Sequence, residues 1–438
     1  MGDYNQKADE MCAALEAVDD KLTQMSLEEL TDMGEDPDRP NNEPEEEEDK
    51  GKSKRSWLGK MGKGLYKRSV AAGRSMGVLT EPVSQEDEDA LALVQSCRAP
   101  FAATAGGVAC LSPEDAKACR SVLSLMIRSM GRTLLQGGNV MSVSFPIQCC
   151  QPKTILQVAG AQPGYAHHFL PRAAACTDPV ERLKNVIATF VSGMALTSNN
   201  FLKPLNPILG ETLQSEFSDG SRLYMEQTCH HPPVSSFQFV GPDAAYTYYG
   251  YSEFGVAFGY NRMFLNSGGM RVVEFPDGGK IAISFPENVI KNVFWGDMYH
   301  EVFGSQSFTD VKNKIRCTIT FAPETRKGLP TDYFEGVIEH YDPTKPEVEG
   351  EAICEVQGSW VGFIDFDKVR YWDVRSCQKM TNSPPAGLLP SDSRRRGDAV
   401  ELHKKDFKTA QAAKLQLEET QRKERKLRET VHGVKGRK

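Results

Sequence analysis

From Glu211 to Val374 the chain repeats one local pattern: short runs rich in Tyr, Phe, Val and Ile, each closed by Gly, Asp, Asn or Pro. Lys280–Phe285 and Lys314–Phe321 are two examples. β-Branched and aromatic residues suit a pleated, half-buried surface, and the closing residues supply turn conformations. Strands at this spacing join through hairpins, so the sheet is antiparallel and forms a barrel or a sandwich. The aromatic-dense run Tyr246–Phe258 fits a wide barrel wall.

Helical patterns flank these strands. In Asp178–Leu196, Asp178 is the N-cap, Pro179 takes the first helical position and Glu181 the third. Ser121–Leu135 reads as a short apolar helix stopped by Gly137-Gly138-Asn139, with an extended segment at Val140–Ile147. A charged helical stretch runs from Asp398 to about Val431. The fold class is therefore β-dominated α+β.

Residues 1–90 read as an extension ahead of a folded unit at 91–438. Met11, Leu15, Val18, Leu22 and Met25 recur at helical spacing within Asp9–Leu30. Nine acidic residues then fall between Glu35 and Asp49, a solvated and disordered composition. Lys50 to Arg68 holds eight Lys or Arg and no acid. There Trp57, Met61 and Leu65 are spaced by four, so a helix would present them as one face to an anionic membrane surface. Gly59, Gly62 and Gly64 each weaken such a helix by about 1 kcal/mol, so it needs a surface to fold against. A plain solvated linker or a nucleic-acid-sticky tail are the alternatives for this segment.

No run approaches the roughly 18 apolar residues of a membrane-spanning helix, and the N-terminus carries no signal pattern. Eleven cysteines without CxxC spacing read as reduced thiols, which points to the cytoplasm.

Three motifs carry chemistry. Glu226-Gln-Thr-Cys-His-His-Pro-Pro233 follows the strand-like run Ser221–Met225. Pro232 and Pro233 fix φ and lack an N–H, so they stop the strand and stiffen the backbone presenting His230 and His231. A rigid histidine pair suits an anion such as phosphate. It suits a metal less well, because neighbours on an extended chain point to opposite faces. The second motif is Lys203-Pro-Leu-Asn-Pro-Ile-Leu-Gly-Glu-Thr212, in which two prolines hold an extended loop. In the third, Lys414, Glu418 and Arg422 form one stripe on a helix. Such a stripe is ordinarily a solvated salt-bridge ladder, although Lys before Glu is the less favourable order.

The chain resembles the oxysterol-binding-protein-related family of lipid-transfer proteins. The resemblance rests on EQ-x-x-HHPP, usually with Val-Ser where Thr228-Cys229 stand here, on the KP-x-NP-x-LGE motif, and on a K-x-x-x-E-x-x-x-R helix. Gly358-Ser-Trp360, Tyr371-Trp372 and Pro390–Arg394 extend it over roughly residues 120 to 430. It implies a short form holding the lipid-binding domain, with a large incomplete antiparallel β-barrel (about 205–375) enclosing a lipid tunnel. An N-terminal helical lid (about 119–147) and C-terminal helices (about 398–431) complete it. Gln148-Cys-Cys-Gln151 in the lid region diverges from the family pattern.

By the same resemblance Lys203, His230, His231, Lys414 and Arg422 bind the phosphates of phosphatidylinositol 4-phosphate. Glu418 takes inositol hydroxyls, and Asn206 shapes the loop with a secondary polar contact. The apolar tunnel takes a sterol or phosphatidylserine in exchange, at a transiently contacted membrane and with no cofactor, metal or nucleic acid. Two other functions compete with exchange. His230 or His231 with Glu226 could act as a general base, but no GxSxG, HExxH or metal-spaced cluster accompanies them. A peripheral phosphoinositide sensor would bind lipid without moving it.

Overall fold

The computed structural model describes residues 84–121, 147–199, 201–230, 232–259, 261–345 and 348–432. The 9–30 helix, the acidic run, the basic segment with Trp57, Met61 and Leu65, most of the 119–147 lid region, and His231 lie outside the described residues.

Helix α1 (Gln85–Cys97) opens the fold, capped by the Ser84 side chain. Short strand β1 (Val108–Ala109) and helical residues 113–121 follow. Next come β2 (Cys150–Thr154), α2 (Ile155–Ala159), α3 (Ala166–Ala175), α4 (Pro179–Ser198) and β3 (Lys203–Leu205). The meander then runs β4 (Thr212–Phe217), β5 (Arg222–His230), β6 (Pro233–Val240), β7 (Thr247–Gly259), β8 (Arg262–Glu274) and β9 (Lys280–Ile283). It continues through β10 (Glu287–Lys291), β11 (Tyr299–Asp310), β12 (Ile315–Phe321), β13 (Tyr333–His340) and β14 (Ala352–Ser359). The short strands β15 (Phe363–Phe366), β16 (Val369–Asp373) and β17 (Asn382–Ser383) precede α5 (Gly397–His403) and α6 (Phe407–His432).

Among the described residues fifteen strands form one antiparallel sheet, from β16 at one edge to β4 and β17 at the other. Among the described residues the two edges are not paired with each other, so the barrel is incomplete. The expected antiparallel β-dominated architecture is present, with hairpins linking most neighbours. β5 alternates exposed and buried residues, as a half-buried strand must.

Helix α4 packs against β11, β15 and β16 and is buried almost all round. Asp178 caps it as expected, accepting from the Val180 N–H at 2.9 Å. Its core side chains include Leu183, Val186, Ile187, Phe190 and Val191. Gly193 is required there, because a Cβ would lie 2.4 Å from the Gln162 carbonyl oxygen.

Two boundaries differ from the expectation. The folded unit reaches back to Gln85: Val94 and Cys97 pack on Tyr333 and Phe363, and Arg326 holds Glu86 at 2.6 Å and Asp87 at 3.3 Å. The C-terminal helical stretch is two helices, broken where Lys405 adopts φ +63°. That break lets α5 fold against β2 while α6 returns along the 3-10 turn Ile147–Cys149.

Candidate functional site

The HHPP motif is the tip of a hairpin. His230 ends β5, so the strand stops ahead of the prolines as expected, and it stands opposite Pro233, which begins β6. Pro232 sits in the turn that joins the two strands. A bulge at Gln227–Cys229 lies just before it, held by Gln227, whose Nε2 donates to the Cys229 carbonyl at 2.7 Å. Ser235 Oγ donates to Gln227 Oε1 at 2.7 Å from across the hairpin. His230 is thus placed by a locked turn.

The Lys203–Thr212 loop is stitched to the same strand. Gly210 N–H donates to the Gln227 carbonyl, and Gln227 N–H to the Glu211 carbonyl, both at 2.9 Å. Glu211, 2% exposed, accepts from the Ile208 N–H at 3.1 Å, Ser393 Oγ at 2.6 Å and Arg396 Nη1 at 2.9 Å. Arg396 also donates to the Asn206 carbonyl at 2.6 Å and grips Asp398 with its other nitrogens. One buried guanidinium therefore ties the loop to the N-terminal end of α5. Sequence reading did not single out Arg396 or the Glu211 carboxylate as part of this framework, although Glu211 closes the loop motif and Arg396 follows Pro390–Arg394.

A small core of Ile147, Cys150, Leu205, Ala399, Leu402 and Ala410 clamps β2, β3, α5 and α6 together. It sets Lys203 beside Lys414. Burial lowers the Lys203 pKa, and Lys414 adds to the lowering. The Cys150 thiol between them is raised by burial, against the pull of both lysines. Lys203 Nζ donates to Asn206 Oδ1 at 2.7 Å.

On α6, Lys414 pairs with Glu418 at 2.5 Å and Arg422 with Glu418 at 3.5 Å. The stripe is a ladder, but Lys414 is only 8% exposed, unlike a solvated one. Glu418 also acts electrostatically on Lys203. Lys203, Asn206, Lys414, Glu418 and, through Glu418, Arg422 are thus gathered at one place.

Below them opens a cavity of about 410 Å³. Lys203, Asn206 and His230 line it together with Leu223, Met225, Phe237, Val256, Met263 and Leu265. Its walls are not uniformly apolar, as the strand pattern implied. Asn266, Ser267, Arg271, Asn288, His300 and Gln306 also face it. His300 Nδ1 lies 2.9 Å from the Ser198 carbonyl and Nε2 3.1 Å from Asn288 Oδ1, of which a neutral ring donates to one, and burial pushes its pKa down to about 4. It is a neutral wall residue.

The oxysterol-binding protein family model matches residues 133–382 and 374–436. The chain belongs to the oxysterol-binding protein family. This is a family of lipid-binding proteins, not of enzymes. Oxysterol-binding protein 9 of Dictyostelium discoideum is 30% identical over 341 residues, covering 73% of this chain and 79% of that protein. Human oxysterol-binding protein-related protein 1 is 26% identical over 257 residues, 56% of this chain but 26% of its own length. The chain thus spans about a quarter of that longer relative.

Two solved ORD structures share the fold. The Osh3 ORD of Saccharomyces cerevisiae, in complex with PI(4)P, aligns with TM-score 0.57 and 22% identity over 70% of this chain and 84% of that one. The Osh1 ORD domain in complex with cholesterol aligns with TM-score 0.57 and 19% identity over 80% and 89%. Among the described residues no helix is long and apolar enough to cross a membrane.

Proposed function

We propose that the chain binds phosphatidylinositol 4-phosphate and exchanges it for a sterol or phosphatidylserine between membranes. The observation that carries this is one cavity with basic and histidine side chains at one end and an apolar wall below. Lys203 and His230 line that end, and Lys414 is packed beside Lys203. Lys and Arg suit phosphate as point charge and planar fork. Lys203, His230, His231, Lys414 and Arg422 bind the phosphates, Glu418 takes inositol hydroxyls, and Asn206 holds Lys203 in place. Hydrocarbon enters the cavity, where water is excluded. The Osh3 and Osh1 domains, solved with PI(4)P and with cholesterol, support both halves of the reading.

The lid assigned to 119–147 has flanks at the site. Cys119 lines the cavity, and the Ile147 N–H donates to Gln411 Oε1 on α6 at 3.0 Å. The protein acts in the cytoplasm and touches membranes transiently, with the 50–68 segment as its contact to anionic lipid.

The test is transfer between two liposome populations, one holding phosphatidylinositol 4-phosphate and the other a fluorescent sterol or labelled phosphatidylserine. Coupled counter-transport is expected. Binding to phosphoinositide liposomes without bulk movement of either lipid identifies a sensor instead. Mass spectrometry of co-purifying lipids identifies the second cargo.

A further inference from the structure

Arg271 sits deep in the cavity, away from the residues assigned to the head group. Its rung of the sheet runs to Gly250 on β7, Phe237 on β6 and Met225 on β5. Met225 precedes His230 by five residues, or about 17 Å of strand. Arg271, Phe237 and Met225 all face the cavity, and Gly250 has no side chain with which to cover the guanidinium.

The partners of Arg271 are all neutral. One terminal nitrogen donates to the Ser284 carbonyl, the Tyr248 hydroxyl is a second partner, and the Phe285 ring lies 3.7 Å from the guanidinium carbon. Its Nε is buried without a hydrogen-bond partner. Among the described residues no carboxylate is paired with it. The Ser284 carbonyl is shared with Gln306 Nε2 at 3.1 Å, so that acceptor is already taken twice. Burial lowers the pKa of Arg271, yet a guanidinium stays protonated at neutral pH. A buried charge is ordinarily paired, and an isolated one is costly. The aromatic faces compensate only in part.

We infer that the inner end of the cavity, centred on Arg271, is a binding site for an oxyanion, and that this chain accepts an amphiphile whose hydrocarbon body enters anion-first. The inference rests on the reading of the cavity as a lipid site and adds a second polar determinant to it. A carboxylate or a sulfate meets the guanidinium where it lines the cavity, through charge-assisted hydrogen bonds, with the hydrocarbon body extending along Phe237 and Met225 toward His230. A neutral hydroxyl would accept one bond but leave the charge uncompensated. Two sources share this chemistry, a fatty acid and a sulfated sterol.

The test measures binding of oleate against oleyl alcohol, and of cholesteryl sulfate against cholesterol, to the purified full chain by calorimetry. At least one anion is expected to bind about tenfold or more tighter than its alcohol, the smaller effect expected of a charge-assisted bond. The pair that shows the preference identifies chain or ring as the body. Arg271→Gln should erase the preference and Arg271→Lys retain part of it. Equal affinities within both pairs overturn the inference while leaving the lipid cavity intact, and so does a preference that survives in Arg271→Gln. Failure of all four probes to bind overturns the inference, and the phosphoinositide reading then stands or falls on the liposome transfer assay alone. The wild-type comparison needs no variant, so a misfolded Arg271→Gln does not spare the inference.

Discussion

The main-chain N–H of Gln227 donates to the carbonyl of Glu211 at 2.9 Å. That bond makes one unit of two motifs that are separate in sequence. The loop bearing Lys203 and the hairpin bearing His230 cannot shift independently, because the strand that ends in His230 is the loop's own backbone partner.

Replacing both histidines, His230→Ala with His231→Ala, should abolish phosphatidylinositol 4-phosphate extraction from liposomes and leave sterol binding in place. Liposome sedimentation followed by lipid analysis reads both. Undiminished extraction would sink the head-group assignment.

Lys414→Met keeps the aliphatic stem but removes the charge beside Lys203. Phosphoinositide affinity should fall about tenfold or more, as expected for loss of a charge-assisted contact. Lys423→Met, on the same helix but exposed and paired with Glu419, should leave affinity unchanged. Equal losses in the two variants would indicate non-specific attraction instead of a site.

Arg396→Ala removes the partner of a Glu211 carboxylate that stays buried. Breaking such a pair costs about 3–5 kcal/mol. Urea denaturation should show a loss of that order, with phosphoinositide binding weakened although no proposed head-group ligand has changed. A loss below about 1 kcal/mol, within the range of an exposed pair, would mean that the loop is held by other means.

His300 is depressed to about 4 from an ordinary 6.5, so it is neutral in the folded chain and titrates near 6.5 when unfolded. Between those values the unfolded state binds the extra proton. Its contribution is complete above about pH 6.5 and declines as pH falls toward 4, by roughly 3 kcal/mol in all. Denaturation midpoints of wild type and His300→Gln across that window should converge on acidification. Parallel curves would refute the shift.

Much of the local structure was legible in the chain. Asp178, Pro179 and Glu181 specify the start of α4 because capping is a contact between near neighbours. The alternation in β5 is equally local. The break at Lys405 carries no Gly or Pro, and its one local sign is Asp406, whose carboxylate caps the start of α6 by accepting from the Thr409 N–H at 3.0 Å. The start of α1 has a local signal, Ser84 capping the Asp87 N–H ahead of an acidic first turn, and only its docking through Arg326 to Glu86 and Asp87 was hidden. Arg271 had a legible sign, a charge on the inward parity of Met263, Leu265 and Ser267.

The sequence by itself determined the strands, their turns, the family motifs and which residue types could hold a phosphate. Only the tertiary structure decided that Lys203 and Lys414 are neighbours, that Arg396 fastens their loop, and that Arg271 faces a cavity with no carboxylate paired to it among the described residues. Turn and cap preferences act over a few residues. Ladder register and helix docking place residues hundreds of positions apart, and they are settled only when the whole sheet forms.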